Sequence, residues 1–289
     1  MNTNEETKRF SLRNIQFLNA DAIKLVAMVT MLIDHIGAGI LLYFLRAGIY
    51  PFGLEFEQSA ELYHWLRHIG RQAFPIYCFL IAEGLIHTRS VPKYLINLGV
   101  FGLISEPFFD IAVKVKENAF STDIAALYAA NKEVLLTHRN VYFTLLIGLF
   151  VIWVMSYVEK NLFTENPAAL LGMIADNPLY VLIYTMPVVA GAALAQVVDS
   201  DYRWWGVCLI AIFYGFRRNR FMACVAGYLF FMNLGSEVWA LPAFILIAAY
   251  NGKQGTISKK FKYVFYAFYP VHLLLIYLVR CYIYSKVAG

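Results

Sequence analysis

Residues 22–45, AIKLVAMVTMLIDHIGAGILLYFL, decide the fold. They form an apolar run longer than the roughly 20 residues that a helix needs to cross a bilayer. Asp34 and His35 lie near its middle. An ionisable side chain at that depth costs about 2.5–3.5 kcal/mol on insertion scales, so the helix has to turn it towards protein. The run therefore predicts both a membrane and a protein-lined interior.

The remaining sequence extends this reading. Of 289 residues, 60% are hydrophobic and only 15% are charged, with a mean hydropathy of +0.59; a soluble domain carries about 25% charged residues. Further apolar runs lie at 66–86, 94–112, 141–158, 179–198, 204–216, 221–234, 237–250 and 263–284. The expected fold is all-α, a polytopic integral membrane protein of about nine transmembrane helices. Residues 1–20 read as a cytoplasmic N-terminal segment and 21–289 as a single transmembrane domain. The three runs between 204 and 250 are short, and read as tilted spans, half-helices or one mis-split pair.

Basic residues set the orientation. Lys8, Arg9 and Arg13, then Arg89 and Lys93, Lys160, Arg217, Arg218 and Arg220, and Lys253, Lys259, Lys260 and Lys262 fall in alternate connections. The other connections hold Glu55, Glu57, Glu61, the mixed loop 113–139, Asp199, Asp201 and Glu237. This places the N-terminus in the cytoplasm and the C-terminus outside. Residues 9–18, RFSLRNIQFL, fit an interfacial helix or a plain lead-in. The polar start does not resemble a cleavable signal, so the first helix is expected to stay as an anchor. The net charge of +5 is spent on these connections, and no nucleic-acid partner is expected. Cys78, Cys208, Cys224 and Cys281 have no metal or disulfide spacing and read as buried small apolar residues; no metal is expected.

Polar residues inside the runs form the candidate site. Lys24 and His35 are eleven residues apart, only about 20° off one helical face and roughly 16 Å apart in height. Asp34 points about 80° away from Lys24. In the second run His64 and His68, Arg67 and Arg71, and Glu83 and His87 are i, i+4 pairs, and Pro75 predicts a kink. Glu106 and Asp110 follow one turn apart; each reads equally as a functional carboxylate or as a structural partner for Arg67 or Arg71. Asn140 and Thr144 open the fourth run. Tyr269 and His272 flank Pro270 in the last. The stretch DIAALYAANK, residues 123–132, is helix-compatible and placed to cover an outward-facing site. By depth, Asp34, His35, Arg67, His68, Arg71, Glu106, Asp110, Asn140, Tyr269 and His272 form a mid-to-outer layer, from which His35, Asp34, Arg71, Glu106, Tyr269 and His272 are the candidate catalytic set. Lys24, Arg89, Lys93, Arg217, Arg218 and Arg220 form a mostly basic inner layer, completed by Glu83 and His87. A neutral imidazole deep in a bundle is a good general base.

The motifs MLIDHIG (31–37), IGRQAFPIYCFLIAEGLIHTR (69–89), ISEPFFD (104–110), NVYFTLLIGL (140–149) and YVFYAFYPVHLL (263–274), in this order, resemble the conjugative pilin acetylase family, TraX. The resemblance runs from about residue 20 to 280. It implies acetyl transfer to the N-terminal amine of a membrane-inserted pilin, in a bacterial cytoplasmic membrane, with acetyl-CoA as donor and co-substrate. In the broader class of transmembrane acyltransferases, an Arg stands ten or eleven residues before a catalytic His. Here Lys24 holds that place, without the planar guanidinium fork.

The resemblance fits the layers. The basic inner face suits the phosphates of acetyl-CoA, and His35 suits deprotonation of a peptide or small-molecule acceptor arriving from outside. Asp34 would orient the imidazole, and Arg71, Tyr269 or His272 would stabilise an oxyanion. Direct transfer in a ternary complex and a route through an acetyl-histidine both remain open. Two other classes compete. Buried Asp, Glu and His also suit a proton-coupled transporter, and an envelope or pilus assembly scaffold would not need His35.

Overall fold

Asn19 starts the first helix, its side chain accepting a hydrogen bond from the Ala22 N–H at 2.9 Å. In the computed structural model, which describes residues 16–50, 53–162, 178–255 and 262–287, this helix, α1, spans Ala20–Ile36. It widens into a π turn at Gly37–Leu41 and continues as α2, Leu42–Ala47. Gly48 closes it at φ +67°, a left-handed conformation that needs no Cβ penalty there. Residues 9–15 of the expected interfacial segment lie outside the described residues, as do Lys8, Lys259 and Lys260.

A bent span comes next. Helix α3, Phe56–Gly70, starts at a capping box of Glu55 and Gln58, and α4 covers Ala73–His87. The break falls at Arg71 and Gln72. Pro75 lacks the N–H that would bond the carbonyl of Arg71, so the bend lies four residues before the proline. Helix α5, Val91–Phe109, is capped by Ser90 and ends in a second π turn, Asp110–Lys114. Helix α6, Ile124–Thr137, is capped by Asp123 and contains the stretch expected to be helical outside the bundle.

Six further segments complete the all-α chain. They are α7 (Val141–Leu162), α8 (Pro178–Val197), α9 (Arg203–Gly215), α10 (Arg220–Phe231), α11 (Leu241–Ala248) and α12 (Lys262–Val287). A 3₁₀ turn, Gly235–Ala240, leads into α11. Among the described residues, five helical stretches are long and apolar enough to cross a membrane: Ala20–Ala47, Phe56–His87, Val91–Lys114, Val141–Asn161 and Tyr263–Val287. Val181–Val197, Arg203–Gly215, Arg220–Phe231 and Gly235–Ala248 are shorter apolar helices. At 1.5 Å per residue the last three rise only about 20 Å, short of a hydrocarbon core of about 30 Å. The second span starts at Phe56, earlier than hydropathy places it, because its first part is amphipathic.

Packing brings the first and last helices together. Helix α12 lies against α1, α5 and both π turns, while α7 packs on α5, α8 and α9. At one end Leu18 pairs with Tyr250 and the Arg220 guanidinium donates to the Tyr250 carbonyl; at the other Arg139 pairs with Ser200.

One residue clamps the join. Arg280 is wholly buried, donating to Gly39 O at 2.9 Å, Ala112 O at 2.8 Å and Ile111 O at 2.6 Å. These carbonyls belong to the two π turns, where the altered backbone ladder exposes acceptors. The guanidinium also lies 4.0 Å from the Tyr43 ring centroid. Arg280 thereby fixes α12 against α1 and α5, two turns beyond His272.

Candidate active site

His35 and His272 meet in the middle of this join. His35 Nδ1 lies 2.7 Å from His272 Nε2, and the rings stack with centroids 5.0 Å apart. His272 Nδ1 lies 2.6 Å from the Phe268 carbonyl oxygen, which can only accept. In a neutral pair this fixes both tautomers by elimination. His272 Nδ1–H donates to Phe268, His272 Nε2 accepts from His35 Nδ1–H, and His35 Nε2 keeps its lone pair. A neutral imidazole nitrogen held in one orientation in this way can accept a proton.

Tyr269 forms the third wall. Its ring stands edge-on to His35 at 5.7 Å. Its hydroxyl is buried near the Val141 amide without a well-formed hydrogen bond. Pro270, next in the chain, has no N–H for the Tyr266 carbonyl; the Tyr142 hydroxyl donates to that carbonyl at 3.1 Å instead. The local distortion is therefore compensated and the layer of Tyr142, Tyr269 and His272 is held.

Asp34 faces elsewhere. Consecutive helical residues diverge by about 100°, and Asp34 binds Arg67 Nη1 at 2.5 Å and Arg71 Nη2 at 3.2 Å. Arg71 Nη1 continues to Glu237 Oε1 at 2.7 Å. The neighbour that orients His35 is His272, where the sequence suggested Asp34. Arg71 is occupied by two carboxylates, which leaves it a positioning group. Gln72 ties the same corner, donating to Trp239 O at 2.6 Å and accepting from Ala243 N at 2.7 Å. His68 stacks on Trp239 at 4.3 Å, and His64 sits beside Tyr63. Two expectations are corrected here. Glu237, read as a loop charge, is 2% exposed inside the bundle, because the tight Met232–Leu234 connection returns the chain directly into the 3₁₀ turn. The partners of Arg67 and Arg71 are Asp34 and Glu237, while Glu106 binds Arg139 at 3.3 Å and Asn140 Nδ2 at 2.5 Å.

The cations of the inner layer are spread over several contacts. Lys24 is 3.6 Å from Asp21 and lies over the Phe265 ring at 5.4 Å. Arg217 binds Glu159 at 2.6 Å, and Arg220 lies over Tyr250. Arg89, Lys93 and Arg218 are exposed and make no ion pair among the described residues. Of the cysteines, Cys78, Cys224 and Cys281 are buried and Cys208 is partly so; all are free. No cluster of three or more His, Cys, Asp or Glu side chains suited to a metal occurs among the described residues.

The sequence pattern placed Arg67 in the mid-to-outer layer, but it did not single out Arg280 or Glu237 as site-building groups. A basic residue late in a span reads as a topology signal, and only the burial of Arg280 distinguishes it. Two pockets open near the end that carries α6. One, of about 440 Å³, is lined by Tyr43, Arg46, Lys116 and Tyr284 among others. The second, of about 470 Å³, lies between the end of α5 and α6 and includes Glu106, Asp110 and Tyr128. Burial, and then the charges of Asp110 and Glu106, push the Tyr128 phenol up to about 12.

A family model described as TraX protein matches residues 19–280. A protein of Dichelobacter nodosus named probable fimbrial assembly protein FimC, serogroup H1, is 26% identical over 269 residues. That match covers 91% of this chain and 96% of the relative. No solved structure matches the chain.

Proposed function

The chain belongs to the TraX family, and from that membership and the histidine pair we propose a membrane-embedded acetyltransferase. It would move an acetyl group from cytoplasmic acetyl-CoA to an extracytoplasmic amine, such as the N-terminus of a pilin subunit or another peptide. The printed name of the relative, a fimbrial assembly protein, supports a pilin-type acceptor. The reading takes the five long and four shorter apolar helices as nine crossings of a bacterial cytoplasmic membrane, with the N-terminus inside.

The observation that carries it is the 2.7 Å hydrogen bond between His35 and His272. His35 Nε2 takes the proton of the attacking amine. His272 holds the ring and shares the positive charge, and the Phe268 carbonyl holds His272. The Tyr269 hydroxyl, which has no well-formed hydrogen bond among the described residues, is the donor for negative charge developing on the acyl oxygen. The chemistry of the donor set fits acetyl-CoA: Arg89, Lys93 and Arg218, which make no ion pair among the described residues, carry charges for phosphates, whereas Lys24 and Arg217 are paired with Asp21 and Glu159. When bound, acetyl-CoA supplies the acetyl thioester.

The test is thiol release from acetyl-CoA by purified protein, with and without a peptide amine, compared with His35→Ala. Release that rises with the amine and is lost in a folded His35→Ala variant is expected. Equal release in the two proteins would remove His35 from the chemistry and favour a transporter or an assembly scaffold.

A further inference from the structure

Asp110 is the buried carboxylate that the histidine site does not use. It is 4% exposed, and its side chain makes no hydrogen bond or ion pair among the described residues; Oδ1 is fully sealed without a partner. A carboxylate so placed costs several kcal/mol unless something compensates it. It forms part of the wall of the pocket of about 470 Å³ under α6. The other charges of that wall are engaged or outlying. Glu106 is taken by Arg139 and Asn140. Arg139 also donates to the Leu136 carbonyl at 2.8 Å. Lys132 is exposed at the rim.

The remaining wall is apolar, with Pro107, Leu135 and Leu136. The Tyr128 hydroxyl donates to the Pro107 carbonyl at 3.1 Å and so holds α6 over the opening. Next to Asp110 in the chain, Phe109 turns the other way, its ring 6.4 Å from that of Tyr269 and so adjoining the His35 layer. A buried carboxylate with no direct partner among the described residues, beside an apolar wall, matches one ligand chemistry, a primary ammonium carried on an apolar group.

We propose that the pocket between Asp110 and α6 docks the acceptor, its protonated amine on Asp110 and its first apolar side chain against Leu135 and Leu136. This rests on the acetyltransferase reading for its role, though not for the binding itself. No bond is made or broken there; the pocket collects the ammonium one wall away from the base that needs the free amine.

The probe is leucine amide, with N-acetyl-leucine amide and glycine amide as comparisons, measured by the unfolding midpoint of the full-length protein in detergent. Leucine amide is expected to raise the midpoint, glycine amide to raise it less, and the N-acetylated compound to leave it unchanged. In Asp110→Asn the apparent affinity for leucine amide is expected to fall at least about tenfold, the size of losing a charge-assisted hydrogen bond. Should that variant fail to fold, Ala129→Trp, at another residue of the same wall, fills the pocket from α6 with the Asp110 carboxylate left in place, and is expected to abolish the shift. A shift of equal size in either folded variant, equal shifts with the N-acetylated compound, or none with leucine amide would overturn the proposal. Binding that depends on Asp110 without any acetylation of leucine amide would leave the pocket standing and count against the transferase. Acetylation with the same KM in Asp110→Asn would do the reverse.

Discussion

His35 in the first helix and His272 in the last share a 2.7 Å hydrogen bond across 237 residues of sequence. The Phe268 carbonyl claims the other His272 nitrogen, so His272 can only accept from His35, and His35 Nε2 is left basic. The two rings act as one unit, which makes His272 as testable as His35.

His272→Phe removes the acceptor that fixes the His35 tautomer. The turnover number for thiol release is expected to fall by about 10²–10⁴, the usual worth of a positioned base, with KM for acetyl-CoA little changed. His272→Gln keeps an acceptor oxygen and is expected to lie between the parent and the Phe variant. Steady-state kinetics on the two variants check this, and a parental rate in His272→Phe would contradict it.

Arg280 satisfies three carbonyls of the two π turns. Arg280→Met leaves them without a donor, each worth about 1–3 kcal/mol when buried, so a loss of at least about 3 kcal/mol is expected. Arg280→Lys should recover only part, because an ammonium lacks the fork that spans separate carbonyls. Denaturant unfolding in detergent measures both.

Arg71 and Glu237 form a buried pair. Arg71→Met alone strands Glu237, while Asp34 keeps Arg67, and is expected to cost about 3–5 kcal/mol. Adding Glu237→Met removes the stranded carboxylate, so the double variant should cost less than the sum of the singles by more than about 1 kcal/mol. A double-mutant cycle on unfolding free energy decides it, and simple additivity would show that the pair is not coupled.

Gly39 lets the first and last helices approach. A Cβ there would lie 2.6 Å from Ile276 Cγ2 and 3.0 Å from the Ala112 carbonyl oxygen. Gly39→Ala is expected to cost about 1–3 kcal/mol through overpacking and to lower turnover by disturbing the histidine contact. Gly215→Ala, where a Cβ meets nothing within 4 Å, is the control. It is expected to be neutral or stabilising by up to about 1 kcal/mol. Unfolding midpoints and thiol release on both variants check the contrast.

The helices were legible because a membrane makes apolar length and basic connections informative. His35, Tyr269 and His272 stood out because ionisable groups and a proline are costly in lipid. Their pairing was not legible, since it depends on how α12 packs on α1, which Arg280 and the π turns set. Asp34 was assigned to its sequence neighbour, although helical geometry separates adjacent side chains, and its partners came from α3. Glu237 looked like a loop charge because the short apolar runs around it left the chain's depth there undetermined.

The most direct measurement is mass spectrometry of a peptide amine after incubation with isotopically labelled acetyl-CoA and the purified protein. One labelled acetyl group on the N-terminal amine with the parent protein, absent with folded His35→Ala, is the result expected. Equal labelling by parent and variant, or an unlabelled amine while the acetyl-CoA is consumed, would contradict transfer through His35.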